Sequence, residues 1–318
     1  MKPLRLQGAN TTPADKCGQG KKVRGYSMNR TDRIEVMAPA KINLALDVTG
    51  VRPNGYHDVR MIMQSIRLCD KVSLKAIAKK EIILKNSHAF LPTGKGNLAY
   101  DAAELFLAKS GIDSGVFIEV EKNIPIAAGL AGGSTDAAAV LCGLNELFET
   151  GYSEEALREM GLSLGADVPF CIMGGTALAE GIGEELNRLP AAPSFYVVLV
   201  KPEAGVSTKE VYTILSLEEA TAHPDVDGML AAIRADDRDG MLARLGNVLE
   251  PVSRQICPEI ADIEAELKSL GANGVLMSGS GPTVFGLFTD QTLASLAFKS
   301  FKAGRYARQT FLTEFLHA

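Results

Sequence analysis

Between residues 34 and 48 hydrophobic and polar positions alternate. Ala38, Ala40, Ile42, Leu44, Leu46 and Val48 fall on one side of an extended chain, and Lys41, Asn43, Ala45 and Asp47 on the other. The alternation predicts a strand with one buried face. A Pro53-Asn54-Gly55 turn follows. Further strands are predicted over 60–68, 71–77 and 81–85. Residues 97–110 switch to helical spacing, with Leu98, Ala102, Leu105 and Phe106 on one stripe. Val116, Ile118 and Val120 then alternate with Phe117, Glu119 and Glu121, another strand. Ala137, Val140, Leu141, Leu144, Leu147 and Phe148 recur as a helix stripe. Beyond it come a helix over 153–164 capped by Ser153, a loop over 165–170, and a strand over 176–180. Residues 181–193 read as loop, and 195–200 as a buried strand. Helices are expected over 207–217, 229–235, 240–248 and 258–270. Strands at 274–277 and 283–288, a helix over 291–301 and a strand over 307–312 close the chain. Strands dominate early and helices lie on a sheet later, which is α+β in two lobes.

One junction stands out. Between the strand ending at Glu121 and the helix stripe starting at Ala137 lies Pro125-Ile126-Ala127-Ala128-Gly129-Leu130-Ala131-Gly132-Gly133-Ser134-Thr135. Gly129, Gly132 and Gly133 allow positive φ and close backbone approach. Ser134 or Thr135 is expected to cap the helix. The first N–H groups of a helix lack internal partners and carry its positive dipole end, so this is a place for phosphate. It is not a P-loop, since GxxxxGK[ST] is absent, and GxGxxG is absent here too.

The bulk properties narrow the partners. The chain has 318 residues, 46% of them apolar and 22% charged, which suits a globular protein of two domains. A net charge of −5 argues against nucleic acid as a partner. No apolar run approaches a membrane span, so no membrane partner is expected. Cys17, Cys69, Cys142, Cys171 and Cys257 show neither CxxC nor metal spacing, which points to a reducing, cytoplasmic location. Residues 1–27 hold six Lys/Arg and one Asp, a tail of +5 that leaves −10 on the remainder. Residues 1–32 are expected to be a disordered extension.

Four other features could carry chemistry. Lys41 is an ammonium on an alternating strand, either a solvated face or a charge near a phosphate. Asp167, in Gly165-Ala166-Asp167-Val168-Pro169, is either a turn residue or a general base. Tyr56 and His57 follow a turn and could meet a ligand. Ser278-Gly279-Ser280-Gly281-Pro282 either binds an anion or only turns the chain. Cys142 and Cys171 read as packing. Together these suggest phosphoryl transfer.

The segments jointly resemble the GHMP kinases. That family's motif P-x-x-x-G-L-[GA]-G-[GS]-S-[ST] is matched by Pro125 to Thr135. Ala38-Pro-Ala-Lys-Ile-Asn-Leu44 with Asn54-Gly-Tyr-His57, and Met277-Ser-Gly-Ser-Gly-Pro-Thr-Val284, are similar to the branch that phosphorylates a hydroxyl of a cytidylylated methylerythritol in non-mevalonate isoprenoid synthesis. The resemblance implies the two-domain GHMP kinase fold. Its N-terminal lobe, like ribosomal protein S5 domain 2, would span 33–185, and a ferredoxin-like C-terminal lobe 186–318. It implies ATP with Mg²⁺, the phosphates wrapped by Pro125 to Thr135. It gives Asp167 the role of base and Lys41 that of polarising the attacking hydroxyl. Asn43, Tyr56 and His57 would hold a small-molecule cytidine diphosphate substrate. No carboxylate is identifiable as a metal ligand. A homoserine or mevalonate-pathway kinase, or a non-catalytic nucleotide-binding regulator, are the alternatives. Ala131 stands where the family commonly has Gly, which matters if that residue has positive φ.

Overall fold

The computed structural model describes residues 33–216 and 223–317. The expected extension 1–32 and the end of the helix expected over 207–217 lie outside the described residues.

β1 (Arg33–Val51) and β2 (His57–Ile77) form a long antiparallel hairpin. Its turn uses Gly55 at φ 84°, and Asn54 Oδ1 accepts from the Tyr56 N–H at 3.1 Å. The two strands expected over 60–68 and 71–77 are one. Cys69 and Asp70 stay in register opposite Pro39 and Ala38, so the ladder has no gap there.

β1 does not keep the single apolar face that its alternation predicts. Its register shifts between Pro39 and Lys41, Asn43 and Ala45, and Val48 and Gly50. A one-residue slip exchanges the faces. Ala45 therefore joins Ile42, Leu44 and Ile62 in one core cluster, while Leu46 and Val48 join Met61 and Met63 in another. The shift keeps Lys41, Asn43 and Leu46 facing one cleft.

The first sheet runs β3 (Ile82–Asn86), β4 (Gly115–Glu121), β2, β1, β8 (Gly246–Asn247), with β3 parallel to β4 and β8 parallel to β1. β4 pairs with β2 over Lys71–Ile77, whereas β5 (Thr176–Glu180) pairs with it over Met61–Gln64. β6 (Glu185–Arg188), in a stretch expected to be loop, pairs back onto β5. This hairpin crosses the expected division at 185/186, and the change of sheet comes after β6.

α1 (Leu98–Ser110), α2 (Gly132–Leu147) and α3 (Glu154–Leu162) pack on the first sheet through Phe106, Val140, Leu141 and Leu157. Small residues bring α2 close: a β-carbon on Gly143 would lie 2.4 Å from Leu74 Cδ1. Asn97 and Ser153 cap α1 and α3 by accepting from Ala99 N and Ala156 N. Half of the loop expected over 165–170 is helix: 165–167 stay irregular, and α4 spans Val168–Met173, with Pro169 in its first turn, where a missing N–H costs nothing.

The second sheet is antiparallel, in the order β11 (Thr310–Glu314), β7 (Tyr196–Val200), β10 (Val284–Phe288), β9 (Gly274–Met277). α9 (Glu259–Ser269) and α10 (Gln291–Ala303) cover it through Ile263, Leu267, Ala297 and Phe301. α5 (Thr208–Ile214) and α6 (Val226–Arg234) follow β7 in the chain. The helix expected over 240–248 is instead α7 (Arg238–Leu242), the short β8 and the unforeseen α8 (Glu250–Ile256). Pairing of Asn247 with Leu46 of β1 overrides the local helical spacing there. The α+β class read from the sequence stands.

Candidate active site

The stretch from Ile124 to Ala131 carries the chain from β4 into α2. Gly129 has φ 72°, as expected of a loop glycine. Gly132 and Gly133 do not: they open the helix itself. The left-handed position before them is Ala131, at φ 58°. The helix has no side-chain cap, contrary to the expectation for Ser134 or Thr135. Thr135 instead turns inward, and its hydroxyl donates to Pro39 O at 2.8 Å. The first-turn N–H groups of α2 thus remain for a ligand, at the positive end of a 16-residue helix.

Lys41 is not a solvated strand residue; only 5% of it is exposed. Its N–H donates to Leu130 O at 3.2 Å, pinning β1 to the loop. Its ammonium donates to Asn43 Oδ1 at 2.8 Å, and Asn43 Nδ2 meets Met61 Sδ at 3.2 Å. Lys41 Nζ lies 3.8 Å from Asp167 Oδ2. Asp167 precedes α4 without capping it, which leaves its carboxylate directed at the cleft and one-third exposed.

The second glycine loop abuts the first. Ser278 Oγ donates to Gly129 O at 3.0 Å, and a β-carbon on Gly129 would fall 2.2 Å from Ser278 O. One on Gly279 would lie 3.2 Å from Gly129 O and 3.5 Å from Lys41 Nζ. Several groups from the second half of the chain hold this loop. Asn247 Nδ2 donates to Met277 O and Gly279 O at 2.9 and 2.8 Å. Ser253 Oγ donates to Ser280 O at 3.0 Å, and Glu250 Oε2 accepts from Met277 N at 2.8 Å.

These groups border one cleft of about 860 Å³. Every expected site residue lines it except Leu130 and Thr135, which are buried behind the loop. Tyr56 is 59% exposed at the cleft edge. His57 packs on Tyr212 of α5, ring centroids 4.8 Å apart at 49°. Burial pushes the Tyr212 hydroxyl up to about 12, and the neighbouring Asp167 charge adds to this, so it stays neutral.

Tyr212 is a site residue the sequence reading missed. Beside Val211 it looks like an ordinary amphipathic helix position. Lys122, Asp136 and Asn247 were missed as well. Lys122 stands three residues before the loop's Pro125, the one local signal available.

Two family descriptions match the chain, "GHMP kinases N terminal domain" over residues 97–175 and "GHMP kinases C terminal" over 217–306. A Lachnoclostridium phytofermentans protein named 4-diphosphocytidyl-2-C-methyl-D-erythritol kinase is 54% identical over 287 residues, 90% of this chain and 99% of its own length. The Exiguobacterium sibiricum protein of the same name is 50% identical, covering 85% of this chain and 94% of its own. A crystal structure of 4-(cytidine 5'-diphospho)-2C-methyl-D-erythritol kinase superimposes with a TM-score of 0.77 at 34% identity, over 90% of this chain and 100% of that one. Homoserine kinase from Cytophaga hutchinsonii shares the fold, with a TM-score of 0.73 at 22% identity. The glycine loop, the lysine and aspartate beside it and these likenesses lead to one conclusion: the chain belongs to the GHMP kinases, ATP-dependent small-molecule kinases.

Proposed function

We propose that this enzyme transfers the γ-phosphoryl group of ATP to the 2-hydroxyl of 4-diphosphocytidyl-2-C-methyl-D-erythritol, a step of non-mevalonate isoprenoid synthesis. The observation that carries the reaction is the approach of Lys41 Nζ to within 3.8 Å of Asp167 Oδ2 beside the glycine loop. Asp167 takes the proton of the acceptor hydroxyl as the new O–P bond forms and the bond from the γ-phosphorus to the β,γ-bridging oxygen breaks, with ADP leaving. Lys41, held by Asn43, polarises that oxygen and offsets the charge spreading onto the transferred group. Pro125 to Thr135 cradle the phosphates through backbone N–H groups. Asn43, Tyr56 and His57 hold the cytidine diphosphate. Tyr212 joins them, because its ring backs His57 and a flat aromatic wall suits a base. The substrate is inferred from the names of the relatives at about 50% identity.

Among the described residues no group of three or more His, Cys, Asp or Glu side chains forms a metal cage. We read Mg²⁺ as arriving with ATP, because the phosphate charge needs a counter-ion. No residue of the chain is assigned to it. Among the described residues no helix is long and apolar enough to cross a membrane. Cys69, Cys142, Cys171 and Cys257 are free thiols, which supports a cytoplasmic reading.

The test is phosphorus NMR of reactions with ATP-Mg²⁺ and four acceptors: the cytidylylated methylerythritol, homoserine, mevalonate and galactose. A new phosphomonoester is expected only with the first. Higher kcat/KM on any other acceptor would replace this reading.

A further inference from the structure

Behind the glycine loop lies a buried charged cluster that the transfer step does not use. Asp70 Oδ1 accepts from the N–H groups of Asn123 and Ile124 at 2.5 and 2.8 Å, and Asp70 Oδ2 accepts from Lys122 Nζ. Lys122 also donates to Asp136 Oδ2 at 2.6 Å and to Gly132 O at 3.2 Å. The three donors of its ammonium are thereby occupied, so it is not a free phosphate ligand. None of the three side chains is more than 8% exposed.

Two carboxylates share one ammonium, so the cluster is negative by one charge when both are ionised. The two are not equivalent. Asp70 accepts three donors. Asp136 accepts one, and its Oδ1 is buried without a partner. Asp136 also lines the cleft, one turn beyond the Gly132 end of α2.

We propose that binding of ATP at this loop is coupled to the uptake of a proton by Asp136. The triphosphate adds negative charge in front of a cluster that already carries an excess one. A proton from solvent placed on Asp136 Oδ1 forms a single O–H bond and removes that excess. Asp136 acts as a positioning residue. Neutralised, it leaves Lys122 to Asp70 and to the Gly132 carbonyl, which sets the start of α2. Burial first, and then the charge of Asp70, push Asp136 up to about 7, which puts the uptake near neutral pH. The other elements packed on this helix bring no competing acid. Cys171 of α4 is pushed far upward by burial and stays a thiol. Lys41 of β1 is engaged with Asn43 and Asp167. From α1 the neighbour is the apolar Leu98.

The inference rests on the loop being the seat of ATP, and the experiment separates the two. Calorimetric titration of the full chain with ATP-Mg²⁺ at about pH 8, in two buffers of different ionisation heat, counts protons bound. The wild type is expected to take up a sizeable fraction of one proton. Its Kd should rise on the order of tenfold from about pH 7 to 8.5 relative to Asp136→Asn, which subtracts the titration of ATP itself. Asp136→Asn is always neutral and should show no uptake. Asp70→Asn removes the excess charge and leaves Lys122 to hold Asp136 as a carboxylate; it should also show no uptake and the same flat pH dependence of Kd as Asp136→Asn, and it carries the test if the first variant fails to fold. Equal uptake in all three proteins would overturn the coupling. Gly129→Ala drives a β-carbon into Ser278 O and is expected to abolish ATP binding. Unaltered binding there would overturn the placement of ATP instead.

Discussion

Asp167 and Lys41 bear opposite charges on the same side of the cleft, where the proposed transfer uses both. Asp167→Asn keeps the shape and removes the proposed base. It should lower kcat by about 100-fold or more and leave ATP affinity near that of the wild type, as measured by steady-state kinetics and calorimetry. Unchanged turnover would remove Asp167 from the chemistry. Ala131 makes a different prediction. At φ 58° it occupies a region that costs an L-residue about 1–2 kcal/mol. Ala131→Gly releases that strain, and the greater freedom of glycine in the unfolded chain returns about 0.4–1 kcal/mol. Denaturant unfolding should therefore show a gain between zero and about 1.6 kcal/mol, and a clear loss would show that the methyl group packs. Lys41, Asn43 and Asp167 were legible because each lies in a dense local motif. Tyr212 and Asp136 were not, since their significance comes from His57 and Lys122, partners brought to them only by the fold.

At the scale of elements, the cleft depends on where strands slip and loops touch. The bulge after Asn43 was hidden in a clean alternation, because spacing records apolar positions and not the partner strand's register. β8 was equally hidden: its two residues are a strand only because Leu46 lies alongside. Asn247 in that strand spends its amide on two carbonyls of the second glycine loop. Asn247→Ala should destabilise the fold by about 1–3 kcal/mol, the usual cost of stranding buried polar partners. It should also raise KM for ATP, since the loop it frees supports Gly129. A variant with wild-type stability and KM would show that Ser253 and Glu250 hold the loop unaided.

The whole molecule should respond to pH in an unusual direction. Burial and the neighbouring Glu264 push Glu250 up to about 7, and Asp136 reaches a similar value. Such acids bind protons more tightly folded than unfolded, so stability is fully present below the ordinary carboxylate range and is lost as pH rises toward about 7. Glu35, Asp225 and Asp227 are held low by Lys71, the Gly228 N–H and Arg60 respectively; they act only at more acid pH, where their contribution is lost. Thermal unfolding should give a higher Tm at about pH 5.5 than at about pH 8, with Glu250→Gln narrowing the gap. An equal Tm at both would contradict it. The contact of Gly129 with Ser278 and Gly279 has a consequence for ancestry. A β-carbon on Gly129 would fall 2.2 Å from Ser278 O and one on Gly279 3.2 Å from Gly129 O, so the segments before and after the β6–β7 junction have to match at this contact. Recombination between relatives at the β6–β7 junction should give working enzymes only when one parent supplies Gly129 and the other Gly279.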